Sequence, residues 1–549
     1  MMMFAPTRHR CNTMHAPMSQ RAAHRGSVVV VVVWAVAVAA VLVSATQIVT
    51  FRQAVVGRET LARVQARWAA RAGMEQMVAI MEFHLQNADP DDPMAVVRDM
   101  EEHATGTTAT GSWDIRHFLD GLEWAGPLDE GAKLNINVAT SVQLTNIPNM
   151  TPDVVDAIVD WRDADDNVQG LGAESDYYSN RSLGYKPRNG NFRSFAELEL
   201  VAGAWPLYVR GEDWNLNGRL DPNENDGNKS FPNDKPDGKL DGGWSKFLTA
   251  TSVQSPMSLS GEDKLPLKGA DPESLTKRLG IDAEQAKALT TYGNQPNAKP
   301  EALIATPLSQ LSAGGTGGSS GAGGTGGTGG ARGSTGGKTG GSTSGGGSTS
   351  GGRGTGGGGG GSSGGMSVST SGGAQTVSGG AAGGRGATSA GGSSSAGGGS
   401  SGRSSSGRSS GGTTGASAVA DLTNAQLRAV LRETTADDFT KPVPGRMNIN
   451  TVPDSVLKEV LEIDPRLADA IIARRRAKPE GITSLADLSD MSGINPTVLT
   501  QLATQFDVTS SVYTVTSRGR AATTGAEVEI EAVVDKSQLP AKIISYREQ

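Results

Sequence analysis

A predominantly apolar stretch without a charged residue, from Val28 to Val49, constrains this chain more than any other feature. It begins with six consecutive valines, and no charged residue occurs between Arg25 and Arg52. About 22 apolar residues in a helix span roughly 33 Å, which is enough to cross a bilayer. Because a helix satisfies its own backbone hydrogen bonds in lipid, this stretch predicts a single transmembrane helix at residues 27–49.

The residues around this helix predict its orientation and its continuation. Residues 1–26 contain arginine but no aspartate or glutamate, so they are expected to stay in the cytoplasm while the bulk of the chain is periplasmic. Apolar positions recur at helical spacing from Arg52 to Gln86, which predicts one continuous helix of about 60 residues. A secretory signal carries its cleavage site after the apolar core, whereas the candidate site here, around Gly26, precedes it.

These features resemble a type IV pilin-like precursor, and most of all the minor pseudopilin K family of type II secretion systems. The residues that carry the resemblance are the basic leader, Gly26 before an apolar run that contains Trp34, the helical stretch 61–73, and Leu-Asn-Ile-Asn at 134–137. The resemblance implies cleavage between Gly26 and Ser27 by a prepilin peptidase. Ser27 departs from the family, which more often has Met or Phe there.

The resemblance also accounts for Val31. Most pilin-like proteins carry glutamate at the fifth mature position, which is Val31 in this chain, and the K family is the known exception. A carboxylate there would be unfavourable in lipid unless it met a neighbour's terminal amine. In the K family the bulky domain sits at the filament tip, where a subunit needs no such pairing.

Composition and charge narrow the possible functions. The formal net charge is −7, which argues against nucleic acid as a partner and permits divalent cations. The single cysteine, Cys11, lies in the expected leader, so a processed chain would have no disulfide. His84, His103 and His117 lie singly, and no nucleophile, base and orienting group recur at a recognisable spacing. The chain is therefore not expected to be an enzyme.

An internal repeat divides the exported part. Leu-Asn-Ile-Asn at 134–137 recurs as Met-Asn-Ile-Asn at 447–450, and the gap-free alignment pairs Arg162 with Arg475. Each copy reads as short helices joined by tight turns, which is typical of a helix-hairpin-helix unit. Such units bind DNA where turn glycines let backbone N–H groups approach a phosphate. The turns at 147–151 and 462–465 contain no glycine, so packing is favoured over DNA binding or uptake.

Residues 213–224 closely match the twelve-residue calcium loop. Oxygen-bearing side chains occupy positions one, three, five, nine and twelve, and Gly218 stands at the sharp turn of position six. Calcium suits many flexible oxygens, and no histidine or cysteine lies nearby to favour zinc. A surface loop without metal is the alternative. The candidate ligands are Asp213, Asn215, Asn217, the carbonyl of Arg219, Asp221 and Glu224.

Two further acidic clusters are weaker calcium candidates. Members of the K family bind calcium through acidic residues of the first repeat, and this resemblance implies Asp163, Asp165, Glu174 and Asp176 as ligands. A second cluster, Asp237 and Asp241, echoes part of the loop at 213–224 but lacks its last carboxylate. It would need Asp226 or Asp234 to complete it.

The rest of the chain predicts an α+β fold: a pilin-like long N-terminal helix packed on an antiparallel sheet, with a large helical (helix-hairpin-helix) insertion. Strands are expected at 511–518, 526–534 and 542–546, joined in one sheet by those containing Trp113 and Leu134. Gly, Ser and Thr dominate residues 313–415, which predicts a disordered linker.

The predicted protein is a minor pseudopilin at the tip of a periplasmic pseudopilus, held in the inner membrane by one helix. Expected partners are other minor pseudopilins, inner-membrane secretion components and the prepilin peptidase; calcium is the expected cofactor. The alternatives are a DNA-uptake membrane protein and an uncleaved envelope anchor. The expected divisions are a leader (1–26), a membrane helix (27–49), pilin-like helix and strands (50–137), a first hairpin unit with calcium loops (138–250), a connection (251–312), the linker (313–415), a second hairpin unit (416–508) and C-terminal strands (509–549).

Overall fold

The computed structural model describes residues 24–181, 184–313, 419–461 and 463–549. Helix α1 spans His24–Gln86 and has 63 residues, which confirms the expected length. It is the one helix of the described ranges that is long and apolar enough to cross a membrane. The expected leader, apart from its last three residues, and the expected linker lie outside the described residues.

One antiparallel sheet packs against α1. Its order is β1-β2-β11-β12-β13, with β3 paired to β2 and β4 paired to β11. The three expected C-terminal strands are confirmed as β11, β12 and β13. The strands are β1 (Thr105–Thr108), β2 (Gly111–Leu119), β3 (Leu122–Ala125), β4 (Leu128–Asp129), β11 (Val512–Ala521), β12 (Glu527–Asp535) and β13 (Lys542–Glu548), and helix α2 (Ala95–Glu102) precedes β1.

Small residues bring α1 close to the sheet. Ala62, Ala66 and Ala70 on α1 are fully buried and face β11, where Gly519 lies directly beneath them. A Cβ built on Gly519 would stand 2.0 Å from the Ala66 carbonyl oxygen, so this position has room only for glycine. Farther along α1 the contact widens into an apolar core of methionines and branched side chains that includes Met77, Met81, Ile115, Val515 and Ile530.

The expected strand at Leu134 does not join this sheet, which corrects the sequence prediction. Strand β5 (Leu134–Asn135) pairs in parallel with β6 (Leu248–Thr249) instead. The chain leaves the sheet at β4, because the Asp129 side chain accepts a hydrogen bond from the Gly131 N–H at 2.7 Å and starts a 3-10 turn at Glu130–Ala132. β5 therefore opens the insertion rather than extending the sheet.

The insertion contains the two expected hairpin units, each closed by a pair of parallel two-residue strands. Hairpin unit 1 (residues 134–249) lies between β5 and β6, and hairpin unit 2 (residues 447–507) lies between β9 (Met447–Asn448) and β10 (Phe506–Asp507). Unit 1 contains α3 (Ser141–Thr145), α4 (Pro152–Arg162), α5 (Ser175–Asn180), α6 (Pro206–Arg210) and 3-10 turns at Phe195–Leu200, Pro222–Glu224 and Gly243–Lys246; unit 2 contains a π-helical turn at Val456–Val460, α12 (Pro465–Arg476), a 3-10 turn at Leu485–Leu488 and α13 (Pro496–Gln505).

Equivalent hydrogen bonds show that the two units repeat the same architecture. In unit 1, Asn137 donates to the Phe192 carbonyl and accepts from the Phe192 N–H at 2.7 Å. In unit 2, Asn450 makes the same exchange with Ile482. The guanidinium groups of the aligned pair Arg162 and Arg475 each donate to two carbonyl oxygens of the loop that follows the opening strand. The two units also share one apolar core.

A third unit, which the sequence analysis treated as a connection, occupies the chain between them. Hairpin unit 3 (residues 265–313 and 419–435) has its own apolar core, and its strands β7 (Leu265–Pro266) and β8 (Thr434–Thr435) pair in parallel as in units 1 and 2. Thr423 caps the last helix of unit 3 as Asn495 caps α13. The helices of unit 3 are α7 (Pro272–Leu279), α8 (Ala283–Gly293), α9 (Ala302–Ala305), α10 (Leu308–Ala313) and α11 (Asn424–Glu433).

Candidate metal site in the first hairpin unit

Helix α4 places two carboxylates beside the loop that follows it. Pro152 at the first helical position and Asp153 in the first turn favour the start of this helix. Asp156 and Asp160 are four residues apart and share one face. Asp163 follows the last turn in an extended conformation, so its side chain points back towards the same region.

Two glycines let the returning loop pass directly over these acids. A Cβ on Gly170 would stand 2.2 Å from Asp156 Oδ2, and one on Gly172 would stand 2.1 Å from Asp160 Oδ2. The close approach lets the Leu171 N–H donate to Asp156 at 2.8 Å and the Gln169 N–H donate to Asp160 at 3.1 Å. The loop therefore shields the carboxylates from water while satisfying only part of their hydrogen-bonding capacity.

Three carboxylates converge under this loop. Oxygen atoms of Asp160, Asp163 and Glu174 all lie within 4.8 Å of one another. Asp160 is fully buried and Glu174 is 2% exposed. Both Glu174 oxygens, Asp160 Oδ2 and Asp163 Oδ1 lack a hydrogen-bond partner, as does the amide oxygen of Asn189 in the same loop region. Buried carboxylate oxygens without partners are strongly unfavourable unless a cation meets them.

The electrostatics of the cluster also indicate a missing positive charge. Burial raises the pKa of Glu174 to about 7, and the negative charges of Asp160 and Asp163 add to the shift. Burial likewise raises the pKa of Asp160. An all-oxygen set of carboxylate and amide groups suits a hard divalent cation such as calcium. The residues present therefore fit a calcium ion.

The structure brings together only part of the predicted ligand set. Asp163 and Glu174 belong to the cluster, whereas Asp165 accepts hydrogen bonds from Asn167 and Asp176 is exposed on α5. Asp160, which the sequence analysis missed, takes a central place. The spacing in the sequence could have indicated Asp160, because Asp160 and Asp163 are three residues apart. A helix that continues to Arg162 places both on one side.

Packed aromatic side chains hold the site in position. Trp161 packs edge-on against Tyr178 at 5.6 Å and stacks with Phe192 at 6.2 Å between ring centroids. Its indole N–H donates to Glu197 at 3.0 Å, and Glu197 is in turn paired with Arg188. These contacts hold the helix end that carries Asp160 close to the segments before and after α5, which carry Glu174 and Asn189.

Unit 2 lacks this cluster although it shares the architecture. In the gap-free alignment, Asp160 falls opposite Ala473 and Asp163 falls opposite Arg476. Arg476 pairs with Asp454 at 2.8 Å. The acidic cluster is therefore a property of unit 1 and not of the hairpin architecture.

The calcium-like loop at 213–224 lies against the seven-stranded sheet, on the face opposite to α1. The Gly218 carbonyl accepts a hydrogen bond from the Phe118 N–H at 2.7 Å, and the Asn217 side chain donates to Glu529 on β12 at 2.8 Å. Arg518 on β11 pairs with both Asp221, at 2.6 Å, and Glu529. The loop thus connects the insertion to the strands that end the chain.

Inside this loop the candidate ligands form hydrogen bonds with one another and with the loop backbone. Asp213 accepts from the backbone N–H groups of Asn217 and Gly218 at 3.0 Å, and Asn215 and Asn217 donate to Asp221. Burial raises the pKa of Asp213 to about 6. Burial also raises the pKa of Glu224 to about 8. The carboxylates of Asp213, Asp221 and Glu224 therefore lie in one loop, where side-chain amides and backbone N–H groups donate hydrogen bonds to them.

The remaining predicted positions find other partners. Asp241 pairs with Lys246 at 3.1 Å, and Asp237 accepts from the Lys239 N–H. Asp234 accepts from the Gly227 N–H at 2.8 Å. The cluster at Asp237 and Asp241 stays a prediction that this geometry does not favour. The cleavage candidates Gly26 and Ser27 lie in the first turn of α1.

Comparisons with known proteins agree with the two hairpin units. Residues 134–210 match the family of type II secretion system protein K, first domain, and residues 445–507 match the helix-hairpin-helix motif family. Among solved structures, the GspK-GspI-GspJ complex from the type II secretion system of enterotoxigenic Escherichia coli contains a similar chain. That chain is 10% identical, with 90% of this chain and 99% of the other covered and a TM-score of 0.35. No curated protein matches.

Proposed function

We propose that the chain is a minor pseudopilin of a type II secretion system, because residues 134–210 match the family of type II secretion system protein K. The observation that carries this proposal is the position of that domain. It begins where the chain leaves a sheet packed on a long helix with an exposed apolar N-terminal half. The proposed role is assembly: α1 anchors the subunit in the membrane, and the folded part joins a periplasmic filament.

The proposed assembly begins in the inner membrane. The basic residues before α1 keep the N-terminus cytoplasmic, and the sheet and hairpin units lie in the periplasm. A prepilin peptidase cuts between Gly26 and Ser27, and the mature subunit joins other minor pseudopilins and the inner-membrane components of the system. Val31 at the fifth mature position favours a place at the filament tip, where no neighbouring terminal amine must be matched.

The N-terminus of the membrane-extracted protein tests the proposed processing. Intact-mass spectrometry is expected to give a chain that begins at Ser27. A Gly26→Leu variant should retain residues 1–26, while Ser27→Ala should be processed like the natural chain, because the peptidase acts after glycine. A natural chain that still carries Cys11 and Arg25 would contradict the proposal and favour an uncleaved envelope anchor.

Calcium is the proposed ligand of the Asp160, Asp163 and Glu174 cluster. The ion would supply charge neutralisation for buried carboxylates and fix the loop between α4 and α5. Calcium at one hundred times its Kd stabilises a folded protein by about 2.7 kcal/mol if it does not bind the unfolded chain. Thermal unfolding in calcium and in EGTA should therefore differ for the natural protein. Glu174→Gln and Asp160→Asn should reduce the difference, whereas Asp176→Asn, an exposed control in the first turn of α5, should not.

The pH dependence of the calcium-free protein gives a second readout. Glu174 has a pKa of about 7 in the folded protein and 4.5 as its ordinary value. The folded state therefore holds a proton that the unfolded chain releases, so stability without calcium falls as pH rises from 4.5 to about 7. Glu174→Gln should flatten this slope relative to the natural protein. An unchanged slope would show that Glu174 is not the group whose raised pKa causes the pH dependence.

A second calcium ion is proposed for the loop at 213–224, through Asp213, Asn215, Asn217, the Arg219 carbonyl, Asp221 and Glu224. The sequence match and the burial of Asp213 and Glu224 support it. Isothermal titration should count one ion fewer in Glu224→Gln than in the natural protein, and two fewer when Glu174→Gln is added. An unchanged count in Glu224→Gln would leave the cluster of Asp160, Asp163 and Glu174 as the calcium site.

DNA binding stays the alternative that unit 2 raises through its helix-hairpin-helix match. The basic run at 474–476 has partners within the protein. Arg475 binds backbone carbonyls and Asp454, Arg476 pairs with Asp454, and Arg474 lies 3.4 Å from Asp490. This arrangement supports a packing role for unit 2.

A further inference from the structure

Strand β13 forms one edge of the seven-stranded sheet. Among the described residues it pairs with β12 alone, and it is the last strand in the order of the sheet. Gln549 and Glu529 exchange two backbone hydrogen bonds, at 2.9 and 3.1 Å. Hydrogen-bonded pairs alternate along an antiparallel ladder, so Arg547 also turns its backbone groups towards β12. The N–H and C=O groups of Tyr546 and Glu548 therefore point away from the sheet.

Apolar side chains are exposed along this edge. Ile543, Ile544 and Tyr546 are 42%, 45% and 47% exposed, and Leu539 before the strand is 43% exposed. Ile544 has no partner on β12, because the register shifts at this point. Native edge strands are normally short or carry charges and proline, since an open hydrophobic edge pairs with other chains. The exposed edge of β13 is therefore typical of a strand that receives another strand.

The two faces of β13 differ in chemistry. Tyr546 stands opposite Ala532, which is buried under α1, so the Tyr546 side chain lies on the α1 face. On the other face Arg547 stands opposite Glu531 and pairs with it at 2.5 Å. Lys542 is exposed on this same face. A strand added beside β13 would therefore meet apolar side chains on one face and two basic residues on the other.

We propose that β13 receives an extended strand of a partner protein, which continues the sheet beside Tyr546 and Glu548. The outward N–H and C=O groups of this edge match the spacing of another extended backbone. Cross-strand side-chain pairing narrows the partner further. Its apolar residues should alternate with polar ones, and acidic residues should lie near Lys542 and Arg547. The proposal rests on the edge of the sheet and does not depend on the pseudopilin assignment or on calcium.

A second copy of this chain fits the edge poorly. β13 runs antiparallel to α1, because the Ala541 N–H donates to Glu82 at 2.9 Å and Glu548 pairs with Arg67 at 2.9 Å. Antiparallel pairing of two β13 strands would therefore point the two α1 helices in opposite directions, and their apolar halves could not enter one membrane from the same side. Parallel pairing in register would place two copies of Glu548 side by side, and like charges are unfavourable there. The partner is therefore a different chain.

The test uses the full chain in detergent and a synthetic probe, the acetylated and amidated heptapeptide Glu-Val-Thr-Val-Thr-Val-Glu. Its valines share one face, and either direction of pairing places a glutamate near Lys542. Fluorescence anisotropy of the labelled peptide should show saturable binding. Hydrogen exchange at 540–549 should slow in the bound protein, because the outward N–H groups become paired. The same peptide with its five inner residues N-methylated should bind at least tenfold more weakly, since it cannot donate to the edge.

Tyr546→Pro removes an outward N–H that β12 does not use, and proline is tolerated at such edge positions. It should weaken binding of the natural-backbone peptide at least tenfold. Tyr546→Val is the matched control, because it keeps the N–H and should bind about as tightly as the natural chain. If Tyr546→Pro does not fold, Glu548→Pro carries the same test, since its N–H also points outward.

Three results would overturn the proposal. They are no saturable binding by the natural protein, equal binding of the N-methylated peptide, and equal binding by the proline and valine variants. Exchange at 540–549 that slows with rising protein concentration, without any peptide, would assign the edge to a second copy and overturn the choice of partner.

Discussion

At the scale of single residues, the absence of side chains decides how closely elements pack. Gly519 lies under the α1 backbone, and Gly111 would place a Cβ 2.4 Å from the Arg520 carbonyl oxygen. In unit 1, the absence of side chains at Gly170 and Gly172 lets the loop pass close to the acidic cluster. Gly519 and Gly111 meet backbone atoms, Gly172 meets the buried carboxylate of Asp160, and Gly170 meets the half-buried carboxylate of Asp156. Small residues therefore set both the helix–sheet distance and the geometry of the candidate metal site.

Gly519→Ala tests this directly. The added methyl group would overlap the Ala66 carbonyl oxygen and the Ala70 nitrogen, at 2.0 and 2.3 Å, so the helix and sheet must separate. We expect the free energy of unfolding to fall by about 1–3 kcal/mol, the usual range for overpacking. Urea unfolding in detergent measures it. Gly57→Ala is the control, since a Cβ there meets nothing within 4 Å; an equal loss in both would refute the argument.

At the scale of elements, the loop at 213–224 attaches the insertion to the sheet by ion pairs. Arg518 lies between Asp221 and Glu529, and Arg219 pairs with Asp114 at 3.0 Å. Glu529 is 8% exposed although its place in the β12 alternation predicts a solvent-facing side chain. The insertion covers that face, so both faces of the central strands are buried.

Arg518→Met should detach this loop while leaving the α1 side of the sheet intact. Its loss leaves two poorly solvated carboxylates unpaired, at a cost on the order of 2 kcal/mol; a fully buried pair would cost 3–5 kcal/mol. Hydrogen exchange should accelerate in peptides covering 213–224 and not in those covering 74–81. Arg520→Met is the control, because Arg520 is 65% exposed on the same strand. Unchanged exchange at 213–224 in Arg518→Met would contradict this role.

At the scale of the whole molecule, the long apolar helix α1 packs on an antiparallel sheet whose strands β4 and β11 are separated in the sequence by three hairpin units. The ends of the segment that interrupts unit 3 lie side by side, since the Ser309 N–H donates to Asp421 at 3.2 Å and Gln285 donates to the Ala420 carbonyl. Unit 3 is thus closed by contacts of its own. Its integrity should not depend on the residues between its two parts.

Deletion of residues 318–415 tests this independence. The seven residues left between Ala313 and Val419 still connect two adjacent ends, and a shorter loop has a smaller closure entropy. We expect the free energy of unfolding to stay the same or to rise by up to about 2 kcal/mol. Calorimetry of the deletion variant beside the natural chain measures it. A marked loss of stability would show that the deleted segment contributes contacts to the folded part.

The sequence by itself determined the features that depend on local periodicity. Twenty-two consecutive residues without a charge, nearly all of them apolar, predict a long helix that can cross a membrane. Alternation along 526–534 predicts a half-buried strand. The α+β class, the length of α1 and the three C-terminal strands were therefore predictable. So were the two clear hairpin units, because Arg162 and Arg475 occupy equivalent places in matching sequence.

Only the tertiary structure decided the features that join distant parts of the chain. Glu174 meets Asp160 because two glycines bend a loop back over α4, and Asn217 meets Glu529 across 312 positions. β5 leaves the sheet because β4 takes the place beside β11, a choice between two short strands that periodicity cannot make. Unit 3 escaped detection because more than a hundred residues separate its two parts and its opening strand carries Pro266 where units 1 and 2 carry asparagine. Contacts between residues far apart in the sequence depend on how whole helices and strands pack, and local sequence patterns do not predict them.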